Sequence, residues 1–388
     1  MTARFDDLTT GRALAFPAPD RVLAAGSLAD VIGVLDEVDL ETAKGAWAHG
    51  FVSYDAAPAF DPSLTVHPPA ADGPPLVWFG LSDRHPFQPQ DLSFRTPPSA
   101  PWELEWSEGE HAGAVARIRE HIAAGDVYQC NLTTRLRTPY ASDPLLLYGV
   151  LAQAQRAAHN AYLDTGRFAV ASASPELFLE WSGDRLRTKP MKGTARRSAD
   201  PVTDARNART LRASPKERAE NLMIVDLIRN DLARVAAVGS VDVPRLLTLE
   251  RYPTVWTMTS EVTARLRAGV GLAGVFGAMF PCGSITGAPK ARSMQIIRDV
   301  EDGPRGVYCG AIGWVAPPSA PIRARFNVAI RTAVVDRATD TATYGAGGGI
   351  TWDSSPAAEW AEVLAKSAIL GTVSPRTLSA RTLSENLT

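Results

Sequence analysis

Val127-Tyr128-Gln129-Cys130-Asn131-Leu132-Thr133-Thr134-Arg135-Leu136 alternates along its length with the two-residue period of an extended strand. Tyr128, Cys130, Leu132 and Leu136 share one face; Gln129, Asn131, Thr133 and Arg135 share the other. That polar face either meets solvent or lines a polar cavity. A helix precedes the strand. Ser107 and Glu110 form its capping box, Val115, Ile118 and Ile122 its apolar stripe, and Gly125 its end. Downstream, Phe168 to Ala173 and Glu176 to Trp181 read as strands joined at Ser174-Pro175, and Leu186 leads a third. A long helix opens at Ser214-Pro215-Lys216-Glu217 and runs to about Val235. Val241 to Thr248 and Val255 to Leu266 are extended, Val307 to Val315 and Phe326 to Val335 are strands, and Tyr344 to Ile350 is a Gly-rich turn. The last helix starts after Ser355-Pro356 and runs to about Leu370. Strands and helices mix without strict βαβ alternation, which predicts an α+β fold with largely antiparallel sheets.

The 388 residues are 45 % apolar and 21 % charged with a net charge of −2, an ordinary globular composition that does not point to nucleic acid or an anionic membrane. The apolar run from Gly271 to Phe280 falls short of the ~20 residues that span a bilayer. The N-terminal residues lack a signal-peptide pattern, and Cys130, Cys282 and Cys309 are isolated, with no C-x-x-C; the expected location is cytoplasmic. No His follows His159, so a His triad or His metal cluster in that half is excluded. Residues 1–100 are Pro- and Ala-rich, with a strand entering a turn at Gly45 to Ala57 and a buried strand at Leu76 to Phe79. The polar connector Asp91 to Pro101 is the expected boundary between an N-terminal region, 1–100, packed on the core and a catalytic domain, 101–375, followed by a tail, 376–388.

The chemistry-bearing residues lie in the later part. Arg187 to Arg197 holds two of only six lysines, Lys189 and Lys192, in a chain whose usual cation is Arg. It is either a basic surface loop or a place that needs a compact amine with a tunable pKa. Glu217 and Glu220 on one helix, and Glu359, Glu362 and Lys366 on another, are in line with apolar stripes. Pointing inward, they make an all-oxygen site that suits Mg²⁺; otherwise they are solvated faces with salt bridges. Gly283-Ser284, ahead of a helix whose first turn holds Pro289 and Lys290, and the glycines Gly345, Gly347, Gly348 and Gly349 are either anion sites or simple turns. Neither matches a nucleotide motif. Arg331, on a strand face between Ala329 and Ala333, either meets a carboxylate or reaches solvent from an edge. Together these residues describe a site for a small molecule bearing carboxylates.

At these residues the chain resembles the chorismate-utilising enzymes. The resemblance covers roughly 107–372 and rests on motifs in family order: Gly125 to Leu132, Ser174 to Leu177, Lys192-Gly-Thr194, Lys216 to Met223 with Asp226 to Asp231, Gly283 to Lys290, Ala329 to Thr332, and Ala346 to Ile350 with Glu359-x-x-Glu362-x-x-x-Lys366. Residues 1–100 match only weakly. The resemblance implies large, largely antiparallel sheets packed face to face with helices outside. Gln129, where water-adding relatives carry a Lys base, implies ammonia as the nucleophile. Pro190-Met-Lys-Gly-Thr194 and Gly283-Ser-Ile-Thr-Gly-Ala-Pro-Lys290 are similar to the aminodeoxychorismate synthase branch rather than the anthranilate branch. Thr257 stands where many relatives carry a His linked to pyruvate elimination.

By the same resemblance, Lys192 is the nucleophile and Glu176 the acid that protonates the departing C4 hydroxyl of chorismate. Glu220 and Glu362 ligate Mg²⁺, with Glu217 and Glu359 behind them through water. Arg331, Tyr308 and Gly349 hold the enolpyruvyl carboxylate, Gly283 and Ser284 the ring carboxylate, and Gln129, Thr194, Gly347 and Lys366 complete the substrate site. A nucleophilic Lys must be neutral, which burial and Lys189 would favour. Ammonia is expected from a separate glutamine amidotransferase subunit. The competing readings are an anthranilate synthase component I and a non-catalytic relative that binds chorismate or tryptophan.

Overall fold

The computed structural model describes residues 1–89, 91–92, 100–252 and 255–374. Two ten-stranded sheets carry the fold. In the first, the order is Arg12–Phe16, Ala3–Asp7, His159–Asp164, Phe168–Ser174, Thr332–Asp336, Thr341–Ile350, Gln129–Pro139, Trp102–Leu104 and Val373–Ser374, with Gly287–Ala288 also paired to the Gln129 strand. In the second it is Met191–Arg196, Val255–Arg265, Arg185–Lys189, Leu177–Ser182, Ala324–Val328, Ala311–Val315, Trp47–Val52, Val77–Ser82 and Arg21–Ala25, with Asp242–Arg251 paired to the Val255 strand. All pairings are antiparallel except that of Val373–Ser374 with Trp102–Glu103. The architecture expected from the sequence is therefore the one observed.

Phe16, Leu163 and Val170 of the first sheet meet Phe51, Trp78 and Ile312 of the second in one buried cluster, so the sheets pack face to face. Helices Val31–Ala43, Pro215–Ala233 and Leu272–Met279 cover the outer face of the second sheet. Pro144–Gln155 and Pro356–Ser367 cover that of the first, while Glu108–Ala123 and Lys290–Val300 close over the Gln129 strand. The first hundred residues are woven into both sheets: Ala3–Asp7 pairs with His159–Asp164, and Trp47–Val52 pairs with Ala311–Val315. The connector read at 91–101 lies mostly, and the tail at 376–388 wholly, outside the described residues.

Four local readings change. The polar face of Gln129–Pro139 is not solvated over its first half: every residue from Gln129 to Thr134 is buried. Thr133 is satisfied within the protein, where Glu301 accepts from both its amide and its hydroxyl at 2.8 Å. The Gly-rich run is no turn but the interior of strand Thr341–Ile350, paired residue for residue with 130–139. Phe326 to Val335 is two strands, one in each sheet, and Arg331 sits at the crossover with left-handed backbone, φ 53°, rather than on a strand face. Finally, the helix after Gly283-Ser284 begins only at Lys290, so those two residues occupy a 3₁₀ turn without a helix terminus behind them.

Candidate active site

The basic stretch is two adjoining strands, Arg185–Lys189 and Met191–Arg196, bent at Pro190. Met191 faces Thr259 while Thr194 faces Thr257, so Lys192 and Gly193 together oppose a single residue. Such a bulge re-aims a side chain. Gly193 supplies the left-handed backbone it requires, φ 84°, and the Thr257 hydroxyl donates to the Gly193 carbonyl at 3.0 Å. From the bulge, Lys192 Nζ donates to the carbonyl oxygen of Ser284 at 3.1 Å. Lys189, in contrast, pairs with Glu250 at 2.6 Å beside a separate cavity of about 170 Å³ lined also by His159, Tyr252 and Arg325. Its charge is thus committed to Glu250, and the expected push on Lys192 finds no support in this arrangement.

Glu176 lies where the chain passes from Phe168–Ser174 in the first sheet to Leu177–Ser182 in the second, and is 3 % exposed. Ser174 fixes the corner: its hydroxyl accepts from the Glu176 amide at 3.2 Å and donates to the Val328 carbonyl at 2.6 Å. Among the described residues, Glu176 Oε1 has no hydrogen-bond partner. Burial pushes the carboxyl up to about 7; the Ser284 hydroxyl, the Lys192 charge and the Met191 amide pull the other way.

The glutamates gather beside this pair. Burial raises the pKa of Glu220, with Lys192 opposing it and Glu217 and Glu362 adding to it. Burial likewise raises that of Glu359, opposed by its Ser354 hydrogen bond and reinforced by Glu362. Glu362 is ion-paired with Lys366, whose Nζ also donates to the Gly347 carbonyl at 2.6 Å. A side chain at Gly348 would meet Glu362 Oε1 at 3.1 Å and Glu359 Oε2 at 3.3 Å, so this glycine lets the strand approach both carboxylates. Among the described residues, no three His, Cys, Asp or Glu side chains are gathered as a ready metal cage. The donor chemistry of Glu217, Glu220, Glu359 and Glu362 nonetheless fits a hard divalent cation, because carboxylates that repel one another next to buried strand are relieved by one.

The remaining residues divide. Gly349 leaves room for the Gln129 amide, whose Oε1 is buried without a partner among the described residues. Arg331 acts electrostatically on Lys366 and Tyr344, and its Nη1 donates to Gln155 Oε1 at 3.1 Å. Gly283 packs on Leu227, and Thr194 is exposed next to the bulge. Tyr308 packs on Gly345 and borders a small cavity with Arg135 and Glu301. Sequence reasoning missed Gln155, which holds Arg331, and a cavity of about 370 Å³ between the sheets lined by Asn160, Trp314, Arg325 and Asn327. Nothing in the local pattern around Gln155 marks it, because the crossover that brings Arg331 to it is a tertiary event.

Comparison with known proteins gives the family. The chain is 42 % identical to aminodeoxychorismate synthase component 1 of Klebsiella aerogenes over 270 residues, 68 % of this chain and 58 % of that protein. It is 43 % identical to anthranilate synthase component 1 of Streptomyces coelicolor over 267 residues, 69 % of this chain and 51 % of that protein. The matched part thus spans only a little over half the length of these relatives. The crystal structure of anthranilate synthase component I from Streptococcus pneumoniae TIGR4 superposes with a TM-score of 0.78 at 24 % identity, over 92 % of this chain and 90 % of that one. The family model for chorismate binding enzymes matches residues 20–371, and the chain belongs to that family.

Proposed function

We propose that this protein aminates chorismate at C4 to give 4-amino-4-deoxychorismate, on a route to 4-aminobenzoate and folate, in the cytoplasm. The observation that carries the reading is the meeting of Lys192 and Glu176 at Ser284, with one Glu176 oxygen buried and unpartnered. A buried carboxyl whose pKa is raised to about 7 is suited to hold a proton and release it to a leaving group.

In the proposed sequence the neutral Lys192 amine forms a bond to C2 of chorismate as the C4–oxygen bond breaks. Glu176 protonates the leaving oxygen, which departs as water. Ammonia then bonds to C4, the C2–Lys192 bond breaks, and the proton shed by ammonia returns to Glu176. Glu220 and Glu362, with Glu217 and Glu359 beside them, would hold Mg²⁺, which neutralises the ring carboxylate when bound. Arg331, Tyr308 and Gly349 face the enolpyruvyl carboxylate, and Gly283, Ser284, Gly347, Thr194 and Lys366 border the rest of the ligand. The Gln129 oxygen is an acceptor, which suits ammonia. Ammonia is supplied by a glutamine amidotransferase partner.

The alternative is release of pyruvate to give anthranilate, favoured by the comparable identity to an anthranilate synthase component 1. Against it, Thr257 is engaged with Gly193 and offers no proton-transfer group at that place. Purified protein, chorismate, Mg²⁺ and ammonium separate the two: aminodeoxychorismate by mass, without pyruvate, supports the proposal, and anthranilate with pyruvate sinks it. Lys192→Ala should lose product formation, and intact mass should show a substrate adduct only when Lys192 is present.

A further inference from the structure

The pairing of Trp47–Val52 with Ala311–Val315 ends at Val52 and Ala311. Just beyond it, the 3₁₀ turn Tyr54–Ala59 meets the loop 301–310 that leads from helix Lys290–Val300 into the Ala311 strand. Gly306 of this loop has left-handed backbone, φ 63°, and the turn takes both of its backbone polar groups. Asp55 Oδ2 accepts from the Gly306 amide at 2.8 Å, and the Tyr54 amide donates to the Gly306 carbonyl at 2.8 Å. Tyr54 and Asp55 are each 2 % exposed. We infer that Asp55 is a positioning residue for the substrate site: with the Tyr54 amide it clamps Gly306 and so sets where Tyr308, two residues on, places its ring. The inference rests on the reading of Tyr308 as a group that faces the enolpyruvyl carboxylate of chorismate.

The loop needs such a clamp. Cys309 is left-handed, φ 65°, without being a glycine, a conformation that persists only where the surroundings hold it. On the far side of Tyr308, the Cys309 amide donates to the Ala329 carbonyl and the Gly310 amide to the Val307 carbonyl, both at 2.9 Å. On the near side the loop is held at Gly306 by Asp55 and Tyr54. Fixed at both ends, the Tyr308 ring lies against strand Thr341–Ile350 at Gly345, where any side chain would overlap it. The same turn steadies Arg305, whose guanidinium lies 4.7 Å from the centre of the Tyr54 ring and holds the Asn131 and Ile285 carbonyls.

A segment outside the motif-bearing part of the chain thus reaches the site through one carboxyl group. Burial pushes that carboxyl up to about 7. Neutral or ionised, it keeps an oxygen able to accept from the Gly306 amide, so a carboxamide of the same shape should serve equally well.

The test uses the full chain with Mg²⁺ and reads chorismate affinity by calorimetry. Asp55→Ala withdraws the acceptor, Asp55→Ser withdraws it while keeping a polar group, and Asp55→Asn retains it. The first two should weaken binding about tenfold, and Asp55→Asn should stay within about twofold of wild type. Combined with Tyr308→Phe, the loss from Asp55→Ala should not add in full, because the two residues act through one contact. Fluorine-19 NMR of protein labelled with 3-fluorotyrosine, its Tyr308 signal assigned through Tyr308→Phe, reads the ring directly. That signal should move in Asp55→Ala and Asp55→Ser and stay in place in Asp55→Asn. An unmoved signal in the first two, or losses that add in full, overturns the inference. The signal needs neither ligand nor turnover, so it is read even if the wild-type protein makes no aminated product, an outcome that overturns the proposed function alone.

Discussion

Thr257 holds Gly193 in place: its hydroxyl lies 3.0 Å from the Gly193 carbonyl, across the one bulge that projects Lys192 from its strand. Thr257 is fully buried, so Thr257→Val removes a hydrogen bond with little change of shape. The expected cost is about 1 kcal/mol, read as a lower denaturation midpoint with an unchanged m-value. Because the bond anchors the bulge, adduct formation at Lys192 should slow as well; an unchanged adduct rate would mean that the bulge holds its shape without Thr257. Gly193→Ala should be worse, since a methyl there meets Glu217 Oε2 at 2.8 Å in left-handed backbone, at a cost of about 1–2 kcal/mol from the backbone alone.

Glu176 gives a pH dependence with a definite sign. Its folded pKa, about 7, lies above the ordinary glutamate value of 4.5, with burial as the main cause. The folded protein therefore binds the proton more tightly than the unfolded chain. The stabilising contribution is complete below 4.5 and is lost as pH rises to about 7. Replacing the group with Glu176→Gln should remove that slope, and the difference between the two proteins over this window should approach about 3 kcal/mol in urea titrations. In turnover the acid form is present below the folded pKa, so kcat/KM should fall on the alkaline side. A rate that keeps rising through pH 8 would assign the proton to another group.

Gly349→Ala separates position from stability. The added methyl would overlap the Gln129 amide, the movable end of a side chain, rather than backbone. The melting temperature should change little, while ammonia-dependent turnover should fall about tenfold or more, because Gln129 is displaced. If turnover survives, Gln129 has no part in handling ammonia.

Glu301 and Arg305 form a buried ion pair, 6 % and 3 % exposed, that also secures Thr133 and the Asn131 and Ile285 carbonyls. Glu301→Ala leaves a buried guanidinium with much of its partnership gone, at an expected 3–5 kcal/mol. Equilibrium unfolding tests this directly, and a loss under 1 kcal/mol would show that water replaces the carboxylate.

Much of the fold can be read from punctuation. Ser107 with Glu110, Ser214 with Pro215, and Ser355 with Pro356 mark three helix starts that occur as expected. Helix Pro201–Ala213 was missed because only Ala208 and Leu211 of it are buried, so it has almost no apolar stripe, although Asp200-Pro201 announces it. The glycines of Thr341–Ile350 suggest a turn because they disfavour strands in isolation; continuous pairing with the Gln129–Pro139 strand overrides that preference. Arg331 reads as a strand residue because Ala329 and Ala333 flank it at strand spacing, and no local pattern records that the chain changes sheets there. The glutamate spacings were legible, since i and i+3 face together on a helix. The approach of Lys192 to Ser284, 92 residues apart, was not, because sequence distance carries no information about a turn lodged between two sheets.

The order of strands in the first sheet governs how the polypeptide can fold as it is made. Its middle is filled by Thr332–Asp336 and Thr341–Ile350, inserted between Phe168–Ser174 and Gln129–Pro139. Those flanking strands leave the ribosome about 160 and about 210 residues before their partners and wait with open hydrogen-bonding edges, the condition that favours mispairing. Pairing so remote in sequence is slow to nucleate. A nascent chain halted before residue 332 therefore lacks the centre of this sheet, and it should bind chaperones far more than one released after residue 374.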